Sequence, residues 1–177
     1  MALGGTIRGK TTTLRLPVEA DLETYNRWMA DVRVRHAHRV WHEPAMPSTW
    51  KERFKEIAKD KQSVLWSMGN GFDLQQLVVD PDEWRKGFGF DAALALHRYL
   101  FDYLDLRVVT ADVRADNAAA RAIAVKLGYE EFAHGHDVDY RDGAYVDGIQ
   151  LRMDKETWQE RWSAEREYPP LAADATR

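Results

Sequence analysis

The sequence contains no cysteine, which excludes a disulfide framework, thiolate metal ligation and a cysteine nucleophile. No hydrophobic run approaches the ~20 residues needed to cross a bilayer, and residues Met1–Lys10 lack the apolar stretch of a signal peptide. A cytoplasmic protein with no membrane partner is expected. An excess of positive charge is missing too: 25 Lys and Arg face 29 Asp and Glu, a net charge of −4. Duplex binding leans on clustered cations that displace counterions, so nucleic acid is not expected as a partner. Internal repeats and low-complexity blocks are likewise absent.

The 177 residues, 45% hydrophobic with seven tryptophans, are too apolar for a disordered chain and enough for one core. One domain is expected over 11–167, preceded by an extension at 1–10 and followed by a tail at 168–177. Thr11–Leu16 is β-branched and short, a strand; after Pro17 the spacing of Leu22, Tyr25, Trp28 and Met29 predicts a helix with one buried face. Thr49-Trp50-Lys51-Glu52 matches a capping box and predicts a helix to about Lys59. Val64–Met68 and Phe72–Val79 read as strands joined by the turn Gly69-Asn70-Gly71.

Asp91–Leu104 is long enough to be a helix, with Ala93, Leu96 and Leu100 on one face. Arg107–Val113 predicts a strand. Asn117–Leu127 predicts a helix closed by Gly128 in the left-handed region. Val138–Tyr140 and Ala144–Met153 flank Asp142-Gly143, the pair a two-residue type I′ hairpin turn favours. Trp158 and Trp162, four apart, predict one face of a final helix. Together these make an α/β fold, with parallel pairing mid-sheet and antiparallel strands beside it.

Between the strand ending at Val79 and the helix beginning near Asp91 lies Trp84-Arg85-Lys86-Gly87-Phe88-Gly89. A helix N-terminus offers unpaired N–H groups and about half a positive charge, so it attracts phosphate wherever the chain can approach closely. Gly87 and Gly89 remove side chains from that approach, and Arg85 and Lys86 add charge. The competing reading is a tight turn with two solvated cations. A dinucleotide fingerprint would need a third glycine and a P-loop a Gly-Lys-Ser/Thr end, and both are missing.

These residues resemble the GNAT N-acetyltransferases, in particular the branch of the ribosomal-protein-alanine N-acetyltransferases. Asp80–Gly89 is similar to the family's acetyl-CoA loop, with Trp84 where the family has Gln or Arg; Asn117 through Lys126-Leu127-Gly128-Tyr129 and the hairpin Tyr140–Asp147 are similar to two later family segments. The resemblance implies a mixed central sheet flanked by helices. It also implies acetyl-CoA as cosubstrate, held by Arg85, Lys86, Gly87, Phe88, Gly89, Phe90 and Asn117, with a backbone amide at Leu77, Val78 or Val79 polarising the thioester carbonyl. Two departures stand out. The tyrosine that many members place seven residues after the Asn is Ala124, so no phenol can reprotonate the CoA thiolate there. Only Gly69-Asn70-Gly71 separates Met68 from Phe72, so one strand or hairpin before the CoA loop is missing, which would expose an edge inviting homodimerisation.

The implied activity is N-acetyltransfer from acetyl-CoA to a primary amine, either a protein N-terminal α-amine or a small-molecule amine, by direct transfer in a ternary complex. Asp73, on the strand before the loop, is a candidate base or water-orienting group. His38, in the histidine-rich stretch His36–His42 between the first two helices, is a second candidate base or substrate contact. His36 and His38, or His134, His136 and Asp137, have metal-ligand chemistry but no fixed motif, and no metal is expected. The acidic group Glu130, Glu131, Asp137, Asp139, Asp142 and Asp147 reads as a solvated face or as an attraction for a cationic acceptor. The rival readings are a CoA-binding protein without catalysis and, from the two glycines alone, a nicotinamide oxidoreductase.

Overall fold

The computed structural model describes residues 5–16, 18–37, 48, 51–52, 55, 67–68 and 80–163. They belong to two compact units, Met1–Ala92 and Ala93–Arg177. In the first, β1 (Ile7–Arg8) and β2 (Thr13–Arg15) pair antiparallel across a tight turn in which the Gly9 amide donates to the Thr12 carbonyl. A third strand, β3 (Ser67–Met68), pairs antiparallel with the other edge of β2. The sheet thus begins inside the stretch expected to be an extension. Ile7 is only 3% exposed and stands opposite Leu14, and burying an isoleucine against that partner stabilises by about 1.5–3 kcal/mol.

Helix α1 (Asp21–Ala30) buries Tyr25, Trp28 and Met29, as their spacing predicts, with Leu22 at its margin. Its start is held by Asp21, which accepts from the Val18 amide and from both Nη atoms of Arg15 at 2.7 Å. The Arg15 hydrogen bonds keep the Asp21 carboxyl below its ordinary pKa. After Asp31 the chain turns into the short helix α2 (Val32–Ala37). Of the helix expected over 49–59, Lys51, Glu52 and Lys55 are helical, as is Ser48 before it. The turn at 69–71, the strand at 72–79 with the shortening expected there, and the tail at 168–177 lie outside the described residues. Every strand pairing among the described residues is antiparallel, so the parallel pairing expected mid-sheet is not found among them.

Helix α3 (Phe88–Arg98) starts three residues earlier than its apolar pattern suggests, inside the glycine loop, and widens into a π-helical turn over Tyr99–Tyr103. Its buried residues include Ala92, Leu94, Ala95 and His97, followed by Tyr99 and Phe101 in the π turn. Ala93, Leu96 and Leu100, expected to share the buried face, are half-buried. The correction has a physical cause in aromatic packing: Phe101 stacks on Trp158 and His97 lies against both, so these rings set which side of the helix faces inward.

In the second unit β4 (Val108–Arg114) pairs with β6 (Ala144–Asp154), and β6 with β5 (Glu130–Arg141), giving the order β4-β6-β5. Strand β5 begins eight residues before the Val138 expected from the pattern, because two irregularities in its pairing, one around Asp137 at φ +55°, interrupt the alternation that marks a strand. Its turn is the expected one: Asp142 and Gly143 both have positive φ, 50° and 85°, as a type I′ turn demands. Helix α4 (Ala118–Leu127) ends at Gly128, φ +113°, where the Tyr129 amide reaches the Ala124 carbonyl and the Gly128 amide the Val125 carbonyl, a Schellman end. A Cβ at Gly128 would lie 3.2 Å from Arg161 Cδ of helix α5 (Lys155–Trp162). That helix is pinned by the Trp158 indole donating to Asp102 and the Trp162 indole donating to the Leu127 carbonyl at 2.8 Å.

His97 is a buried polar group of this unit. Its Nδ1 lies 2.7 Å from the Ala93 carbonyl and its Nε2 2.6 Å from the Tyr129 hydroxyl. A carbonyl only accepts, so Nδ1 carries the proton and Nε2 accepts from the tyrosine. Burial drives the His97 pKa down to about 4 and raises that of Tyr129, so both stay neutral.

Two outcomes are expected. Gly128→Ala should lower the unfolding free energy by about 1–2 kcal/mol, the cost of a left-handed residue with a Cβ, read as a shifted urea midpoint. Because unfolded His97 takes up a proton near pH 6.5 and the folded residue only near pH 4, its contribution to stability is complete above pH 6.5 and drains away down to pH 4. The wild type should lose up to ~1.4 kcal/mol per pH unit from this residue between pH 6.5 and 5, and His97→Gln, less stable at pH 7, should show a correspondingly shallower pH dependence in urea melts.

Candidate functional site

The glycine loop is approached through a 3-10 turn, Pro81–Glu83, capped by Asp80. One Asp80 oxygen accepts from the Asp82 amide at 3.0 Å and the other from the Trp28 indole at 3.2 Å. The Asp82 amide first, then the indole, keeps the Asp80 carboxyl ionised below its ordinary pKa. Arg33, fixed on Asp31 at 2.7 Å, also lies 3.7 Å from Asp82. The segment leading into the loop is thereby tied to α1 and to the start of α2.

The loop itself changes direction twice. Arg85 sits at φ +65° and Gly87 at φ +89°. A Cβ at Gly87 would meet nothing within 4 Å, so glycine is favoured there by its left-handed backbone conformation and not by crowding. Arg85 holds the same region despite its Cβ, at a cost of order 1–3 kcal/mol. Trp84, extended at φ −63° and ψ 152°, precedes Arg85, so the chain bends sharply as it enters the loop. The Gly87 carbonyl accepts from the Asp91 amide at 3.1 Å and so starts the helix. Lys86, expected to add positive charge, is ion-paired with Glu83 at 2.8 Å; Arg85 is the cation that the loop adds beside it.

One turn further on, Asp91 faces the β1–β2 turn. Its Oδ1 accepts from the Lys10 amide at 2.8 Å; its Oδ2 accepts from the amides of Thr11 and Thr12 and from both threonine hydroxyls, at 2.7–3.1 Å. Burial opposes the charge on Asp91, yet these donors outweigh it and hold the pKa below the ordinary carboxylate value. A Cβ on Gly9 would lie 2.4 Å from Oδ2, so the turn closes on the carboxylate only because residue 9 has no side chain.

Gly87 therefore stands just before α3 with Phe88, Gly89 and Phe90 in its first turn, whereas the sequence pattern leaves these three in the loop ahead of the helix. In the second unit, Asn117 caps α4, its Oδ1 accepting from the Ala120 amide at 3.0 Å. Ala124 is 6% exposed within α4, and no hydroxyl occupies that position. Of the acidic group, Asp147 accepts from the Asp137 amide and lies 3.3 Å from His136, while Glu130, Glu131, Asp137 and Asp142 are exposed. Asp73, His38, Leu77, Val78 and Val79 lie outside the described residues. Sequence reasoning missed Asp80, Trp28 and Asp91. The signal for Asp91 was an acidic residue in the opening turns of a helix; nothing local marks the other two as partners.

A family model described as an acetyltransferase (GNAT) domain matches residues 11–130. Among solved structures, RimJ of Mycobacterium smegmatis in complex with CoA-disulfide is 16% identical with a TM-score of 0.72, over 91% of this chain and 93% of that one. A crystallised acetyltransferase is 17% identical with a TM-score of 0.70, over 95% of this chain and all of the other. Spermidine N-acetyltransferase from Vibrio cholerae, in complex with CoA and spermine, is 17% identical with a TM-score of 0.67, over 83% and 97%. No curated protein sequence matches the chain. These likenesses share the α/β fold anticipated from the sequence, and with two thirds of its length inside the family model the chain belongs to the GNAT acetyltransferase family.

Proposed function

We propose that the chain transfers an acetyl group from acetyl-CoA to a primary amine, with the CoA pyrophosphate seated on the amides of Gly87–Phe90 and steadied by Arg85. The observation that carries this reading is the loop at the N-terminus of α3: two left-handed residues, a helix start and a cation, inside the stretch matched by the family model. Two structural neighbours were crystallised with a form of CoA, one of them also with the amine spermine, which supports the cosubstrate and the acceptor class.

In the proposed reaction the neutral amine attacks the thioester carbonyl, the C–N bond forms as the C–S bond breaks, and the proton lost by nitrogen balances the one gained by the thiolate. A backbone amide at Leu77–Val79 is proposed to stabilise the carbonyl oxygen as it becomes anionic. Ala124 supplies no acid, so the thiolate takes its proton from solvent or from the amine. The acceptor must also lose a proton: an α-amine with a pKa near 8 is about 10% neutral at pH 7, whereas a lysine near 10.4 is ~0.04% neutral. The reading therefore favours an α-amine or another amine of low pKa, with Asp73 or His38 proposed as base.

The second reading, a CoA-binding protein without turnover, is favoured by Ala124 alone. Mass spectrometry of an amine panel incubated with enzyme and acetyl-CoA separates the two: an acetylated product lost in Gly87→Val supports transfer, and cofactor binding with no product supports the alternative. Acetyl-CoA at a hundredfold excess over Kd should stabilise by ~2.7 kcal/mol, a rise in melting temperature of about 5–10 °C, whereas NADH should give none. A rise with neither would refute the loop assignment.

A further inference from the structure

Resting on the proposed acetyl-CoA reading, we infer that Asp91 is a positioning residue for the cosubstrate: clamped in the β1–β2 turn, it holds the first turn of α3 in the orientation that grips the pyrophosphate. Asp91 has no need to touch the ligand. Its amide donates to the Gly87 carbonyl, so its backbone is part of the turn on which the pyrophosphate is proposed to sit, while its side chain accepts from five donors on Lys10, Thr11 and Thr12.

The β1–β2 turn is itself fixed. Ile7 and Leu14 are buried opposite each other, Thr12 is 9% exposed, and β2 is paired on both edges. The carboxylate thus transmits the position of an anchored hairpin to a loop that holds an arginine at positive φ, where the backbone alone would relax. The geometry leaves little latitude. Three consecutive amides point at one carboxylate, Oδ2 takes four of the five bonds, and the missing Cβ of Gly9 is what admits it. Replacing either oxygen by an NH2 group sets donor against donor.

Asp91→Asn tests this, with Thr12→Val, which removes one of the hydroxyl donors, and Gly9→Ala, which crowds the carboxylate from the other side. Affinity for acetyl-CoA is read by tryptophan fluorescence or calorimetry at a temperature where melting curves show each variant folded. The expected result is an acetyl-CoA Kd about tenfold weaker for Asp91→Asn and Gly9→Ala and two- to threefold weaker for Thr12→Val. Gly128→Ala, destabilised elsewhere, should keep the wild-type Kd. A clamp that served stability alone would lower the melting temperature and leave every Kd unchanged, and that result overturns the inference. If Asp91→Asn does not fold, Thr12→Val and Gly9→Ala decide it. A wild type that binds no acetyl-CoA overturns the functional reading and this inference together; a wild type that binds, with variants that bind equally well, overturns this inference alone.

Discussion

The first turn of a helix can hold a phosphate with its backbone only while that turn is held by something else, because amides aimed at a ligand do not secure their own position. In this chain two carboxylates do the holding. Asp80 fixes the approach to the loop through the Trp28 indole and the Asp82 amide, and Asp91 fixes its exit through the β1–β2 turn. Between them Arg85 and Gly87 adopt left-handed backbone that a free segment would not keep. Both carboxylates must stay ionised to accept these bonds, and the donors around each keep its pKa low. The loop's shape is thus maintained by charge buried part-way and well hydrogen-bonded, the condition under which such groups stabilise.

The second unit is organised differently, by aromatic packing around one neutral histidine. His97 accepts from Tyr129, which follows the Schellman glycine of α4, and Phe101, Trp158 and Trp162 surround the end of α3 and the face of α5. The half-buried cap at Asn117 sits at the other end of α4, whose helix is thereby set by Gly128 behind and by the Asn117 side chain in front.

What the sequence revealed and what it hid divide along physical lines. Signals that act within a few residues were legible: the Asp142-Gly143 turn, the helix after Asn117, the Gly128 stop, and the buried stripe Tyr25, Trp28 and Met29. The interactions that hold the candidate site were not, because they join residues far apart in the chain, 52 positions for Trp28 and Asp80 and about 80 for Asp91 and the Gly9–Thr12 turn. The same limit produced the misread face of α3, where a π-helical turn changes the helical phase and Trp158, some sixty residues later, decides which side is inward. Strand β5 was read short because its bulges hide the alternation. The resemblance to GNAT enzymes, by contrast, rested on local motifs at Asp80–Gly89 and Asn117–Tyr129, and the family match over 11–130 includes both.

The central claim is that the backbone at Arg85–Phe90 grips a pyrophosphate, and the direct test is to compare acetyl-CoA with acetyl-pantetheine, which carries the same thioester and arm but no phosphate. Calorimetry on the unmodified protein should find acetyl-pantetheine bound at least ~100-fold more weakly, the worth of two charge-assisted hydrogen bonds at ~1.5 kcal/mol each. Equal affinity for the two would place the binding energy elsewhere and contradict the account.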